Sequence, residues 1–485
     1  MKRWLIAILA TLCVFSAVAC SKGNGQGSTT TKDNSSSSAP DNGSPVPDDL
    51  DYENIKLNIG MRDRDNVAFE LDPDRNSVDK MITAIENRNR YSEDKLNLSM
   101  KFQLLPGNWS QRQDFVTQVR NSSKAGGDDM IDVLFGPNYS MSSLMLEGCF
   151  LNLYDGEQAK YLDLSSDWWN TSFIDECTYA GKLYVLEGEL TLTMLDSSFV
   201  MFCDTRNFKS KVENESLYDV VRNRQWTLEK LEEYVTLFGW VSSDDQKSND
   251  DFFGMVSPAF SCGRDGFPTA FGVTVVSKDA NGKITTTFES ERNVNIYNRF
   301  YRFVNQNEGV WVNGNNDGAR EECQAMFTAG NTVFISELLN YASILRSQER
   351  DYGIFPLPMY DSTQDDYSTL SEAMHSQISI MAASSKIEAS SALLEEMGYQ
   401  TRTLVINEYY ETVKYRNNRE PESVEMLDII LNSITSNFGV EFTQEIGSPF
   451  PTPIGSMENI TNLGDQVTTI TRLMNTVKQK ILDLK

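Results

Sequence analysis

Between Ile55 and Pro137 the apolar residues switch repeatedly between strand and helix period, and this limits the fold more than any other feature of the chain. Ile55, Leu57 and Ile59 alternate up to Gly60, as a half-buried strand requires. Met81, Ile82 and Ile85 follow at helical spacing behind Ser77, a candidate N-cap. Leu96, Leu98, Met100, Phe102 and Leu104 alternate again. Phe115, Val116 and Val119 then mark a helix ending near Gly126-Gly127. The apolar run Ile131–Phe135 is closed by Gly136-Pro137. Strand, helix, strand, helix, strand is the order of a parallel sheet with helices on its faces, so the fold class is α/β.

The rest of the chain patterns less cleanly. Leu190 to Phe202 is long and β-like. Thr227 opens a helix with Leu228, Leu231, Val235 and Phe238 on one face. Asn281-Gly282 is a hairpin signal between Phe271–Val276 and Ile284–Phe288. Val467, Ile470, Leu473, Met474, Val477 and Ile481 mark a terminal amphipathic helix.

Composition excludes several activities. The 485 residues carry 43 Lys+Arg against 69 Asp+Glu, the wrong sign for neutralising phosphates, so no nucleic-acid partner is expected. His375 is the only histidine, so neither a multi-histidine zinc site nor an H-E-x-x-H motif is possible. No phosphate-binding G-x-x-x-x-G-K-[ST] and no G-x-S-x-G nucleophile motif occurs. Asn313–Gly318 imitates the start of a calcium loop, but Gln324 stands where a bidentate Glu is required. The expectation is a chain that is not an enzyme and has neither cofactor nor metal.

The first residues are an address. Met1-Lys2-Arg3 is basic, Trp4 to Val18 is apolar, and Ala17-Val18-Ala19-Cys20 resembles the lipobox of bacterial lipoproteins. The resemblance implies a signal peptide at 1–19, lipid on Cys20, and a protein anchored on the extracytoplasmic side of the cell membrane. Residues 20–50 are rich in Ser, Gly and Pro, contain no aromatic residue, and read as a disordered tether. Cys149, Cys177, Cys203, Cys262 and Cys323 remain, without C-x-x-C spacing, and read as scattered buried thiols.

Motifs along residues 51–485 resemble, in order, those of extracellular solute-binding proteins of the maltose-binding type, the receptors of ABC importers. They are Asp132-Val133 with Leu144 and Gly148 to Leu153, Leu162-Asp163-Leu164 with Trp168-Trp169, and Gly181-Lys182-Leu183-Tyr184. Gln225 to Leu231, Phe327 to Phe334, Tyr352 to Pro358, and Ser384-Ser385-Lys386 with Ala389 to Met397 complete the series. Two stretches depart from the pattern. Cys203-Asp204-Thr205-Arg206 stands where the family often has Asn-Lys, and Val185 to Glu189 lacks a usual proline. The second lies where the family lines its cleft, so ligand identity does not transfer.

The resemblance implies two lobes, each a mostly parallel sheet flanked by helices, with ligand in the cleft between them. Lobe 1 would comprise 51–187 and 358–400, and lobe 2 would comprise 188–357 and 401–485. It further implies a monomer that closes on a sugar or oligosaccharide and passes it to ABC permease subunits. A carboxylate-dependent glycoside hydrolase and a receptor for a membrane sensor are the alternatives.

Sugar sites combine flat aromatic platforms with charged or amide hydrogen-bond partners, since a buried unpaired hydroxyl is costly. Candidates at strand ends and at the crossover are Arg62, Asp63, Asn138, Tyr139, Trp168, Trp169, Glu187, Glu189, Phe334, Glu337 and Tyr341, with Trp311 as a further ring. Core packing is the competing reading for every ring among them. Arg62 is attractive because a planar guanidinium can pair vicinal hydroxyls or a carboxylate.

Overall fold

The computed structural model describes residues 43–484 apart from 65–68, 73–78, 245, 280–282, 315–316, 347–350, 417–421, 437 and 448–462. The signal peptide, Cys20, Ser77 and the Asn281-Gly282 turn lie outside the described residues. Strands β1 (Ile55–Asp63), β2 (Leu98–Pro106) and β3 (Val133–Pro137) pair in parallel in the order β3-β1-β2. Helices Lys80–Leu96 and Arg112–Ala125 connect them, as the change of apolar period requires. The first helix is capped by Asp79, whose carboxylate accepts the Met81 N–H at 2.8 Å. It stops at Asn97, a left-handed residue with φ 47°.

The second sheet contains β4 (Phe199–Asp204), β5 (Trp240–Val241), β6 (Phe252–Pro258), β9 (Val310–Asn313), β10 (Thr332–Leu338) and β11 (Tyr352–Pro356). Its order is β11-β4-β10-β6-β5, with β9 also on β6. The strands β7 (Val276–Lys278) and β8 (Ile284–Thr286) form a separate hairpin. The sheet is mixed rather than mostly parallel. β6, β9 and β10 are parallel, whereas β4, β5 and β11 run against their neighbours. The cause is connectivity, because β4 brings the chain into this lobe and β11 takes it out.

Thr227 caps the helix Leu228–Phe238 by accepting the Lys230 N–H at 3.3 Å. The preceding Trp226 is fully buried, and its Nε1–H donates to the Pro356 carbonyl at 2.9 Å. Burying this ring with its one polar atom satisfied stabilises the lobe by several kcal/mol.

The strand β12 (Ser376–Ile380) returns to the first sheet, antiparallel to β3. Two crossings therefore join the lobes, and they bridge each other at Leu186–Ile378 and Ser198–Ser371. The return crossing falls later than 358, since Met359 still bridges Thr227 and the Tyr367 hydroxyl donates to Val221 O. A third connection is the helical stretch Ile387–Gln400, Thr401–Val405, Ile406–Tyr410 and Glu411–Arg416, of which the second and fourth parts are π-helical.

Residues 401–485 serve both lobes. Helix Ser423–Asn432 packs on β11, while the terminal helix Leu463–Asp483 packs both on Asn138–Leu146 of lobe 1 and on β8. The folded unit begins before Asp51: Val46 is buried, and the Ser44 hydroxyl donates to Glu396. Within the stretch expected to be tether, residues from Gly43 onward are described, and Val46 supplies an apolar anchor there.

Gly188 sits in the first crossing against Trp168, and a Cβ there would overlap the Trp168 carbonyl oxygen. Gly188→Ala should cost about 1–3 kcal/mol, read as a lower urea midpoint. Gly156→Ala, where the added atom meets nothing, should change stability by less than about 0.5 kcal/mol.

Candidate functional site

Groups from both lobes and both crossings meet around one cavity of about 70 Å³. Arg64 follows β1. Thr193, Asp196 and Ser197 come from the first crossing, Glu372 and Met374 from the second. Arg320 on the helix Asp317–Ala329, with Leu338 and Asn340 at the end of β10, closes the other side. The C-terminal ends of strands at a crevice are where α/β sheets place ligands. At this volume the cavity has room for a few water molecules.

The cavity wall is mostly polar and charged, with Leu338 and Met374 as its apolar members. Arg320 forks onto Glu337, with Nε to Oε1 at 2.7 Å and Nη2 to Oε2 at 2.6 Å. Gln324 Nε2 and the Leu338 N–H also donate to Glu337, each at 2.8 Å. Asp196 accepts the Tyr409 hydroxyl at 2.8 Å. Burial pushes its carboxyl up to about 6, and the Tyr409 bond restrains the rise. Burial likewise raises Glu372, whose Oε2 accepts the Met374 N–H at 3.1 Å.

Arg62 stands behind this wall at 0% exposure, its Nη2 donating to the Met374 carbonyl. Burial lowers its pKa to about 10, so it is charged at neutral pH. None of the eleven sequence candidates lines the cavity itself, though Arg62 and Glu337 are bonded to residues that do. Asp63 is exposed at the end of β1.

Tyr139 is buried beside Arg62, with its ring edge-on to Trp109 at 4.8 Å. Phe334 is enclosed by Trp226, Tyr234 and Phe208, and Tyr341 packs on Phe202 at 5.3 Å. Both are core rings with no face left for a ligand. Trp169 is buried, with Nε1–H donating to Glu395 at 3.2 Å, and Trp168 packs against Gly398 and Tyr399. Trp311 stacks on Phe253 at 5.4 Å. Glu189 pairs with Arg402 at 2.6 Å beside the third connection.

Glu187 and Asn138 belong to a buried network instead. Glu187 Oε1 accepts His375 Nε2 and Gln377 Nε2, each at 2.7 Å. Gln377 Nε2 and Asn138 Nδ2 donate to Glu441 Oε2 at 2.8 and 2.9 Å. His375 Nδ1 lies 2.8 Å from the Glu372 carbonyl. Burial opposes a charge on His375, but Glu187 and that carbonyl outweigh it and hold its pKa above the usual value. Burial, with Glu187 nearby, pushes Glu441 up to about 8.

The residues that do line the cavity carry little sequence signal. Arg64 lies two positions beyond Arg62, at the strand end that the alternation had marked. Glu372 and Met374 sit in a loop without a motif, and Thr193 to Ser197 form a short helix inside a run that reads as β. Trp109, 44% exposed, follows the end of β2, and Arg112 stacks over its ring at 4.7 Å. Its ring lies edge-on to Tyr139 and is half exposed, but it does not line the cavity. All five remaining thiols are buried and unbridged. Among the described residues no group of three or more His, Cys, Asp or Glu is placed to hold a metal ion.

No family model matches the sequence, and neither does any curated protein. Solved structures do match the fold. The ABC substrate-binding protein Lmo0181 from Listeria monocytogenes, solved with cycloalternan, superposes with a TM-score of 0.53 at 12% identity, over 89% of this chain and 100% of that one. A cyclo/maltodextrin-binding protein solved with maltotetraose gives 0.54 at 11%, over 88% and 97%. UgpB from Mycobacterium tuberculosis, solved with glycerophosphocholine, gives 0.53 at 14%, over 88% and 98%. The fold is that of the two-lobed solute-binding proteins. In a solute-binding fold the cavity described above is the cleft between the lobes.

The buried groups of this fold set a pH dependence. His375 has a raised folded pKa, so its contribution is complete below the unfolded value of 6.5 and is lost as pH rises through the folded value. Glu441, pushed to about 8 from 4.5, also binds its proton more tightly in the folded chain, which gives the same sign. Asp265, pushed by burial to about 7, adds to it. The thermal midpoint should fall between about pH 6 and pH 9 in calorimetry, and His375→Gln should make the fall shallower.

Proposed function

We propose that this chain is an extracytoplasmic solute receptor that closes its lobes on a sugar or oligosaccharide and delivers it to the permease of an ABC transporter. One observation carries the reading: polar groups from both lobes and both crossings converge on a single cavity in a solute-binding fold. Such a site is complete only when the lobes are together, so ligand and closure stabilise each other. The cycloalternan and maltotetraose held by two of the similar structures favour a carbohydrate. The hydroxyl, amide and carboxylate groups of Ser197, Asn340, Asp196 and Glu372 suit a polyol, since each can pair a hydroxyl that would otherwise be buried unmet.

Lipid on Cys20 would hold the receptor at the membrane, and a coil reaching to Gly43 would span on the order of 30 Å. The absence of a cofactor belongs to the same reading, because capture and release need no bond to break. Asp196 and Glu372 face one cavity, and this is the observation that keeps glycoside hydrolysis as a second reading.

Titration calorimetry of the purified chain against a panel of oligosaccharides should show binding, with a smaller radius of gyration in solution scattering when ligand is present. Asn340→Ala should weaken binding about tenfold by leaving a ligand hydroxyl at the cavity wall without its partner. Binding of peptides or polyamines alone would sink the carbohydrate class. New reducing ends released by the chain, and abolished in Asp196→Asn, would replace capture by hydrolysis.

A further inference from the structure

The two arginines at the end of β1 are unlike the acids around them. Each carboxylate near the cavity is already engaged. Glu337 takes both arms of Arg320. Asp196 takes the Tyr409 hydroxyl, and Glu372 takes the Met374 N–H. Glu70, which lies near Arg62, takes Thr193 and Ser376.

The guanidiniums are not so matched. Arg62 Nη2 reaches only the Met374 carbonyl, and its Nε and Nη1 are buried without a hydrogen-bond partner. The Tyr139 hydroxyl beside it is also buried and unmet. Arg64, on the cavity wall itself, contacts the Met374 sulfur at 3.4 Å. Among the described residues no carboxylate lies within ion-pair distance of either arginine.

Every unmet group at this end of the cavity is thus a donor, and two of them belong to a fully buried cation. A buried guanidinium without a bonded counter-ion is costly, and a second one beside it adds repulsion. The surplus calls for an acceptor-rich anion from outside the chain.

We propose that the lobe 1 side of the cleft binds an anionic group of the solute, a carboxylate or a phosphate, on Arg64 with Arg62 behind it. This deepens the receptor reading and rests on it. Arg64 supplies a planar fork that matches either anion with two parallel hydrogen bonds. Arg62 and Tyr139 lie next to it and set the positive potential there. Asn340, Ser197 and Thr193 on the remaining wall pair hydroxyls. The ligand class is therefore a hydroxylated acid, and a sugar acid and a sugar phosphate share the required chemistry.

Calorimetry on the purified chain tests this with three matched panels: neutral oligosaccharides, uronic acid oligomers of the same length, and sugar phosphates. The expected result is that one anionic panel binds about tenfold to a hundredfold tighter than the neutral one, with affinity falling as salt rises. The tighter of the two identifies the source of the anion. Arg64→Met should remove most of that advantage, so that the anionic panel binds no tighter than the neutral one, and Arg64→Lys should keep part of it. Thermal unfolding of both variants checks that they are folded. Neutral sugars bound as tightly as either acid, or an equal loss for all panels in Arg64→Met, would overturn the anion site and leave the receptor reading standing. Silence from all three panels would overturn both.

Discussion

Glu187 in the first crossing holds His375 and Gln377 in the second, and this buried fastening fixes the junction from which both lobes extend. Both histidine nitrogens face acceptors, a carboxylate on one side and a carbonyl on the other. The geometry is met in full only when the histidine–glutamate pair holds one more proton than neutral imidazole beside carboxylate. The bond to Glu372 O ties that proton to the loop carrying Glu372 and Met374, two residues of the cavity wall. The floor of the cleft is therefore positioned by the same contact that pins the crossings together. Replacing the acid alone would leave a buried cation, which costs more than losing the pair.

Much of lobe 1 was legible in the sequence because β1 and β2 keep partly exposed residues and so an alternating pattern, and β3 was marked by its Gly136-Pro137 stop. β2 shows this best, with Leu98 buried and Leu104 exposed on the same alternating set. Lobe 2 was less legible for a physical reason. β4, β10 and β11 are buried along their whole length, so their apolar runs carry no period. Trp226-Thr227 read correctly as a helix start, because a cap needs only a hydroxyl at one place and not a pattern. The terminal helix was visible as a helix, but no local feature could show that it packs on lobe 1.

The site was legible as a region and not as residues. The cavity is lined from strand ends and crossings, the kinds of loop from which the candidates were drawn, yet none of them lines it and the expected aromatic platforms Phe334, Tyr341 and Trp169 are core. A sequence does not distinguish a ring that fills a lobe from one that lines a cleft, since both need an apolar residue near a strand. Arg62 was singled out for its fork, and its neighbour two positions on reaches the cavity. Arg64 is separated from Arg62 by exposed Asp63, as the alternation of a strand end demands. Glu337 was found by its place after β10, though its role is to orient Arg320. The single histidine, which argued against proton-transfer chemistry, is a structural residue.

The acid excess and the cleft act at different ranges. A formal charge of −26 gives the whole molecule a negative field, which repels an anionic solute at a distance. At physiological salt that field is screened beyond about 8 Å, so it weakens encounter only modestly. At the cavity itself Arg64, Arg320, Asp196 and Glu372 stand on one wall, so these near groups outweigh the distant acids. Selection between solutes then lies in how long the closed state persists rather than in how often a solute arrives. Under the proposed anion site, a neutral sugar leaves the Arg64 fork unmatched and an acid pairs it, so discrimination rests on one short-range contact and not on the field of the whole molecule.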